Sequence, residues 1–209
     1  MYIYNEKESI NNLLKYYQYN YAASGILFIC CILITFYSDK NYFKGLLSLL
    51  IVSWVTWFGH YALHKYPNTP MAKFHKLTHH SEFGKTFWGK FLEYTINEIW
   101  TFGGGILWLL VLLLKKITGV YWLNPWVIMW WTISVPLVHE VYYHQTTKPN
   151  IHDIHHKYQL TSLHPDIWDI ILKTKKDKTP IEDETSIAMV MLVWCIIYLF
   201  IMKLLKKRF

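Results

Sequence analysis

Long, uninterrupted apolar runs constrain the fold of this chain more than any other feature. They cover residues 21–37, 45–63, 99–114, 117–138 and 187–202. The second and fourth runs approach or exceed the roughly 20 residues that a helix needs to cross a bilayer, and the shorter runs would cross with apolar flanks or with little tilt. Because a backbone in lipid must satisfy its own hydrogen bonds, the runs are predicted to be helices. Their apolar residues are continuous rather than alternating, which argues against a transmembrane barrel.

The composition favours an integral membrane protein with a single membrane domain. Hydrophobic residues make up 53% and aromatic residues 18% of the chain, more than the core of an ordinary soluble domain needs. Residues 1–20 are polar and aromatic and lack the features of a signal peptide, so they are predicted to form an interfacial N-terminus. Residues 21–186 are predicted to form the membrane domain, and residues 187–209 an apolar helix with a basic tail.

Histidines are confined to two polar segments and to the end of the apolar run before the first of them. Segments 64–98 and 139–186 contain every His except His60, which lies near the end of the second apolar run. Because the third and fourth runs are joined by a short turn, both segments are expected on one face of the membrane. They carry eleven Lys residues, against four in the opposite loops. The positive-inside rule therefore predicts that the histidine face is cytosolic.

The spacing of these histidines is typical of metal ligands presented by helices. Residues three or four positions apart share a helix face, and this spacing occurs in HYALH (60–64), HKLTHH (75–80) and HDIHH (152–156). Neutral imidazole binds iron, zinc, copper or nickel, and several imidazoles directed at one point can hold one or two ions. A lone interfacial His is more often solvated, so it is the grouping that favours metal. The ten candidate ligands are His60, His64, His75, His79, His80, His139, His144, His152, His155 and His156.

Other kinds of metal site fit the sequence less well. In HEVYYH (139–144) the second His is five positions after the first, whereas the zinc-protease motif requires four. The extra residue rotates His144 by about 140° from His139 on a straight helix. If both bind metal, the helix is expected to unwind near Tyr142 and Tyr143. Haem would need single histidines deep in facing runs, and the sequence has no Glu-x-x-His pair of the soluble di-iron type.

The motifs, in this order, resemble those of the fatty acid hydroxylase and sterol desaturase superfamily, which are membrane di-iron oxygenases. The resemblance covers about residues 45–175 and includes HPDIWDIILKT (164–174), which looks like the segment after the last histidine box of that family. The middle box has three residues before its doublet where the family usually has two. Asn97 lies near the place where many sterol-modifying members have His-Pro. Both departures bear on the substrate subgroup more than on the metal site.

The resemblance implies an all-α integral membrane protein with about four transmembrane helices and a cytosolic histidine-rich cap that holds a dimetal site. Two non-haem iron ions, O2 and external electrons would hydroxylate or desaturate a lipid, either a sterol or a long acyl chain. The implied partners are the lipid substrate, the membrane and an electron donor such as cytochrome b5 with its reductase, and no nucleic acid. Because ten neutral ligands leave the charge of the ions uncompensated, further groups are expected around the ligands. The candidates are His164, Glu140, Asp153, Asp166 and Asn97.

Two other functions remain open at the level of sequence. One is a membrane acyl desaturase of the separate histidine-box family. The other is a non-enzymatic, His-rich protein that binds or transports metal. A transporter should place His or acidic residues along a path inside the helices rather than in clusters at their ends.

The C-terminus bears on location and topology. The predicted location is the endoplasmic reticulum membrane, and Lys206 and Lys207 resemble a dilysine retrieval signal, which is read in the cytosol. A crossing by residues 187–202 would carry this basic tail to the opposite face, against the positive-inside preference. The run is therefore predicted not to cross, and to lie along the interface or against the helical core.

Overall fold

The computed structural model describes residues 6–143, 151–161, 163–175 and 181–206, and every element within these ranges is helical. This confirms the all-α prediction for the described part of the chain. The α-helices are α1 (Glu6–Tyr37), α2 (Tyr42–Lys65), α3 (Pro70–His79), α4 (Phe87–Leu92), α5 (Gly105–Thr118), α6 (Pro125–Val138), α7 (Ile151–Lys157), α8 (Asp166–Ile171) and α9 (Thr185–Lys206). Two wider π-helices, π1 (Glu93–Phe102) and π2 (His139–Tyr143), follow α4 and α6, and a short 3-10 helix covers Glu82–Lys85.

Three helices are long and apolar enough to cross a membrane. They are Ile10–Tyr37, Tyr42–Lys65 and Thr185–Leu205. A bent pair, Phe87–Phe102 with Gly105–Thr118, passes the same test with a bend of 53° between its halves and would make a fourth span. The chain is therefore a helical protein with three candidate membrane spans, or four if the bent pair is one span.

Polar contacts at the two ends of the helix bundle show the direction in which each long helix runs. The Tyr16 hydroxyl of α1 donates to Glu184 Oε2 just before α9 at 2.7 Å, so α1 and α9 begin at the same end of the bundle. The backbone N–H of Asn124, before α6, donates to the Ser48 hydroxyl near the start of α2 at 2.7 Å. Asn124 Nδ2 also donates to the Ser38 hydroxyl, just after α1, at 2.9 Å. Because α2 and α6 begin where α1 ends, they run opposite to α1 and α9. We call the two ends the histidine end, which contains His60 and His139, and the Asn124 end.

The core lies where α1, α2, α6 and α9 meet. Its fully buried side chains are those of Cys30, Cys31, Ile34, Val52, Val127, Ile128, Trp130 and Cys195. The Trp131 indole donates to the Thr56 hydroxyl at 2.9 Å, which satisfies a buried donor between α6 and α2. All three cysteines are free and buried, as expected from their place in apolar runs.

Glycine permits the bend between π1 and α5. Gly104 has φ +104°, a conformation that other residues rarely adopt. A Cβ there would lie 2.6 Å from Val52 Cγ2 and 3.0 Å from Thr132 Oγ1, so a side chain would also collide with α2 or α6. The bend therefore brings the backbone of this connection directly against the middle of both helices.

The placement of α9 bears on the expectation that residues 187–202 do not cross. The helix packs against the helical core, which was one of the two placements expected for this run. However, α9 runs parallel to α1, and the Tyr198 hydroxyl donates to Trp126 O at 3.1 Å, near the Asn124 end. Its apolar residues pack along α1 and α6, and Lys203 lies at the end opposite to the histidines. Whether the run crosses a membrane stays a prediction. Lys207, Arg208 and Phe209 lie outside the described residues.

Candidate metal centre

Four elements bring their histidines together at the histidine end. The last turns of α2 carry His60 and His64, α3 carries its imidazoles on one face, π2 begins at His139, and α7 supplies the last motif. The start of α3 is fixed by Thr69, whose hydroxyl accepts a hydrogen bond from Ala72 N at 3.2 Å. Leu63, Ala72 and Phe102 form a small apolar cluster that packs α3 and π1 against α2.

The first set of imidazoles, group A, is formed by five histidines whose candidate ligand nitrogens all lie within 4.8 Å of one another. The members of group A are His60, His64, His75, His80 and His155. They come from three separate motifs, so no single helix could form the group. A set of this size is sufficient for one transition-metal ion of high coordination number.

The second set, group B, is formed by His79, His139 and His152, again within 4.8 Å of one another. His156 adjoins the set, because its Nε2 lies 3.0 Å from the Nε2 of His152. The doublets of the sequence are thus divided, with His79 in group B and His80 in group A, and with His155 in group A and His156 beside group B. Consecutive helical residues point about 100° apart, which explains the division.

The nitrogen–nitrogen distances within the groups suit shared metal ions. The Nε2 atoms of His64 and His75 are 3.1 Å apart, and those of His139 and His152 are 2.8 Å apart. Two ligands about 2.1 Å from one ion and at right angles to each other would be about 3.0 Å apart. The same distances also fit a hydrogen bond between the two rings of each pair.

Several ring nitrogens that face into the groups have no hydrogen-bond partner among the described residues. They are the Nε2 atoms of His60, His79, His80 and His155, all buried. Buried polar atoms are ordinarily hydrogen-bonded, because leaving one unpaired costs about 1–3 kcal/mol. A metal ion in each group would satisfy these lone pairs, so the donor set fits a metal.

The opposite nitrogens of the group A rings are held by the protein. His60 Nδ1 lies 3.0 Å from the carbonyl oxygen of Leu163, and His155 Nδ1 lies 3.2 Å from that of Thr161. A carbonyl at Nδ1 favours a proton on that nitrogen, so it leaves Nε2 of His60 and His155 free to bind metal. His75 differs, because Nδ2 of the buried Asn97 donates to its Nδ1 at 2.8 Å, which makes that nitrogen an acceptor.

Two carboxylates hold the group B rings in the same way. His79 Nδ1 lies 2.8 Å from Glu93 Oε1, and His139 Nδ1 pairs with Glu98. Glu93 also accepts a hydrogen bond from Asn97 Nδ2 at 2.8 Å, so one side chain of π1 connects the surroundings of both groups. Glu93, Glu98 and His139 could themselves hold an ion by proximity. Because His139 directs Nε2 to His152, however, its contact with Glu98 is better described as ligand support.

Sequence reasoning did not single out Glu93 and Glu98. A signal was available, because acidic residues beside an apolar run are costly unless they have a partner. Glu98 is completely buried and Glu93 is nearly so. Both lie on a π-helix, a form that is frequent at functional sites. The second π-helix, π2, replaces the unwinding expected near Tyr142 and Tyr143 with a widened turn.

Burial keeps the imidazoles neutral, which is the form that binds metal. The pKa values of His75, His79, His152 and His155 lie well below 6.5, chiefly because burial disfavours the charged form and secondarily because the rings surround one another. For His80 the same causes lower the pKa to about 3. Burial lowers the pKa of His139 to about 4 against the opposing effect of Glu93 and Glu140.

The remaining predicted site residues have different surroundings. Glu140 accepts a hydrogen bond from the Tyr94 hydroxyl and lies 3.9 Å from Lys90 Nζ, at the surface of the histidine end. Asp166 is buried, and its carboxylate pairs with Lys175 at 2.6 Å within a network between α8 and α9. His144 and the side chain of Asp153 lie outside the described residues.

His164 lies in the same network as Asp166. Its Nδ1 is 3.1 Å from Glu182 Oε2, and its backbone N–H donates to Asp169 Oδ2 at 3.0 Å. Burial first, and then Lys175 and His139, lower its pKa to about 3. Its ring also lies 5.5 Å, centre to centre, from Tyr143, which stacks on His152.

A cavity of about 510 Å³ connects this site with the interior of the bundle. His60 of group A and His139 and His152 of group B line it, together with apolar side chains of α1, α2, α6 and α9. Its volume lies within the range of about 300–1,000 Å³ that is usual for sites of small ligands. Apart from His60, His139 and His152, the end nearest the metal groups is lined by Tyr16, Tyr143, His164 and Glu184.

No protein-family model, no curated protein and no solved structure matches the chain.

Proposed function

We propose that this protein is a membrane di-iron oxidoreductase that uses O2 and external electrons to hydroxylate or desaturate a lipid. The observation that carries the proposal is the apolar cavity, because ligands of group A and group B both line it. A long alkyl chain in the cavity would bring its C–H bonds beside both candidate metal positions. Metal binding alone would not require such a cavity.

The proposed reaction balances with the reactants that it names. When bound, a pair of iron ions with open coordination positions would supply O2 reduction and C–H bond cleavage. One O2, two electrons and two protons would convert a C–H bond to an alcohol and one water. The same reactants would convert two adjacent C–H bonds to a double bond and two waters. The electrons would come from a separate donor such as cytochrome b5 with its reductase.

The chain's own residues have defined tasks in this proposal. Glu93 and Glu98 hold Nδ1 of His79 and His139, and so fix the direction in which Nε2 points. The apolar lining, including Leu46, Leu49 and Met191, excludes water from the space where an alkyl chain would react.

Metal analysis and oxygen uptake test the proposal together. We expect two iron ions per purified chain, and O2 consumption that requires both a lipid and a reductant. Active protein with one ion or none would contradict the di-iron site. Oxygen uptake that is the same without lipid would contradict the lipid substrate.

The proposal also differs from the metal-transport alternative in a way that can be measured. Among the described residues, the candidate metal groups lie only at the histidine end, and the rest of the cavity has mainly apolar walls. We therefore expect no uptake of radioactive iron or zinc into vesicles that contain the protein. Metal uptake above that of empty vesicles would favour transport. The proposed location is the endoplasmic reticulum, with the histidine end in the cytosol.

A further inference from the structure

The cavity has a polar end and an apolar end, and this polarity bears on which lipid it holds. This inference rests on the proposed function for its chemistry, but its binding tests do not. The lining follows α2 from His60 to Leu46, a length of about 20 Å at 1.5 Å per residue. Along α1 it extends from Tyr16 to Phe28, in the same direction. The cavity is therefore a slot that leads from the metal groups toward the Asn124 end.

The polar end contains a hydrogen-bond acceptor without a partner. His164 lines the cavity, and its Nε2 is buried with no hydrogen-bond partner among the described residues. Its Nδ1 lies 3.1 Å from Oε2 of the buried Glu182 but does not meet it in hydrogen-bonding geometry. In the neutral ring, a proton on Nδ1, the side of Glu182, leaves Nε2 as a lone-pair acceptor, and the complementary ligand group is a hydroxyl or amide N–H.

The lining also argues against an anionic head group. None of the described residues that line the cavity is Lys or Arg, and Glu184 lies at the polar end. The nearby Lys175 already pairs with Asp166. A carboxylate or phosphate placed here would lose its hydration without gaining a cationic side chain.

The opening of the cavity indicates where a lipid would enter. Phe28 of α1 and Leu50 of α2 line the cavity and yet are 51% and 55% exposed. Their position between two candidate membrane spans opens the slot sideways toward the acyl chains of the bilayer. A lipid could enter there without passing through water.

We propose that the cavity binds a neutral long-chain lipid whose hydroxyl or amide head donates to His164 Nε2 and whose alkyl tail extends toward Leu46. The head is separated from the group B ligand His152 by one ring, Tyr143, with centre-to-centre distances of 5.5 and 4.7 Å. The two distances sum to an upper limit on the separation of the His164 and His152 rings, which corresponds to at most about eight bonds at about 1.2 Å per bond of an extended chain. Oxidation therefore falls in the half of the chain nearest the head, and roughly 16 carbons fit in the slot.

Binding of matched probes tests the head group. We expect a saturated C16 alcohol to bind the metal-loaded protein at least about tenfold more tightly than the C16 carboxylate. His164→Phe should remove most of this preference, whereas His164→Gln, which keeps an acceptor, should retain part of it. A carboxylate that binds as tightly as the alcohol would overturn the assignment of the head group.

Chain length tests the direction of the tail and does not depend on His164. Leu46→Phe and Leu49→Phe should each shorten the preferred alcohol by about two to four carbons. Leu109→Phe, on an exposed side chain of α5 outside the cavity lining, is the matched control and should leave the preference unchanged. An unchanged length preference in both cavity variants would overturn the proposed tail direction.

The position of the oxidised carbon in the product distinguishes a failure of this inference from a failure of the proposed function. Oxidation in the head-proximal half of the chain supports both, and oxidation near the terminal methyl overturns the placement of the head. Tight, length-dependent alcohol binding without any oxidation by iron-loaded, reduced protein would support the lipid site and contradict the proposed function.

Discussion

At the scale of single residues, the site depends on which nitrogen of each imidazole is held. Glu93, Glu98, Asn97 and two backbone carbonyls engage Nδ1 atoms, and the Nε2 atoms face one another. A ring that is fixed in this way need not lose rotational freedom when metal binds. We therefore expect the carboxylates to affect metal affinity without being ligands.

A direct ligand should be more important than any residue around it. We expect His155→Ala or His79→Ala to abolish turnover and to lower metal content toward one ion per chain, because each removes a ligand from one group. Lys157→Ala, an exposed change at the end of α7, is the control and should leave both quantities unchanged. Full activity and two ions in both His variants would contradict the assignment of the groups.

Removal of a supporting carboxylate should have a smaller effect. Glu98→Gln should weaken metal binding about 10- to 100-fold, as is typical for residues that orient a ligand. Glu82→Gln alters an exposed carboxylate that pairs with Lys85 and should have no effect. Competition with a chelator of known affinity measures the difference, and equal affinities in the two variants would argue against the role of Glu98.

At the scale of elements, the bend between π1 and α5 allows one continuous segment both to support the metal groups and to form part of the helical bundle. π1 supplies Glu93, Asn97 and Glu98 to the metal groups, and α5 continues toward the Asn124 end. Gly104 makes this change of direction possible by its positive φ and its lack of a side chain.

Two glycines with positive φ allow this point to be tested. Gly104→Ala should destabilise the protein by about 1–3 kcal/mol from backbone strain alone, with a further loss from the collision with Val52. Gly119 has φ +77°, but no atom lies within 4 Å of the position of a Cβ there. Gly119→Ala should therefore lose only the stability that corresponds to the backbone strain. Thermal unfolding in detergent measures both, and an equal loss of stability would show that packing at Gly104 is unimportant.

At the scale of the whole molecule, the parallel arrangement of α1 and α9 determines which segments share a face. The histidine end contains the start of α1, all of α3 and the start of α9, whereas the end of α9 lies with Asn124. With α9 placed in this way, Lys203 adds to the positive charge of the face opposite to the histidines, and the Lys bias that predicts a cytosolic histidine end becomes smaller.

Labelling of single cysteines should reveal this topology. Lys203→Cys and Lys116→Cys should react with a membrane-impermeant maleimide from the same side, and Lys73→Cys from the other side. The native Cys30, Cys31 and Cys195 are buried and should stay unlabelled. If Lys203→Cys instead reacts together with Lys73→Cys, α9 does not cross, and the sequence-based expectation would be confirmed.

The sequence by itself determined the class of structure and the chemical type of the site. Long apolar runs can satisfy their backbone in lipid only as helices, and i, i+3 and i+4 spacing places imidazoles on one helix face, so both follow from local rules. Tertiary structure decided the division of the doublets between groups A and B, the support from Glu93 and Glu98, and the cavity that reaches both groups. It also decided the direction of α9, which packs against α1 and α6 and places Lys203 at the end opposite to the histidines. These features depend on contacts between residues far apart in the chain, such as Tyr16 with Glu184, and no local pattern of spacing or charge specifies such a contact.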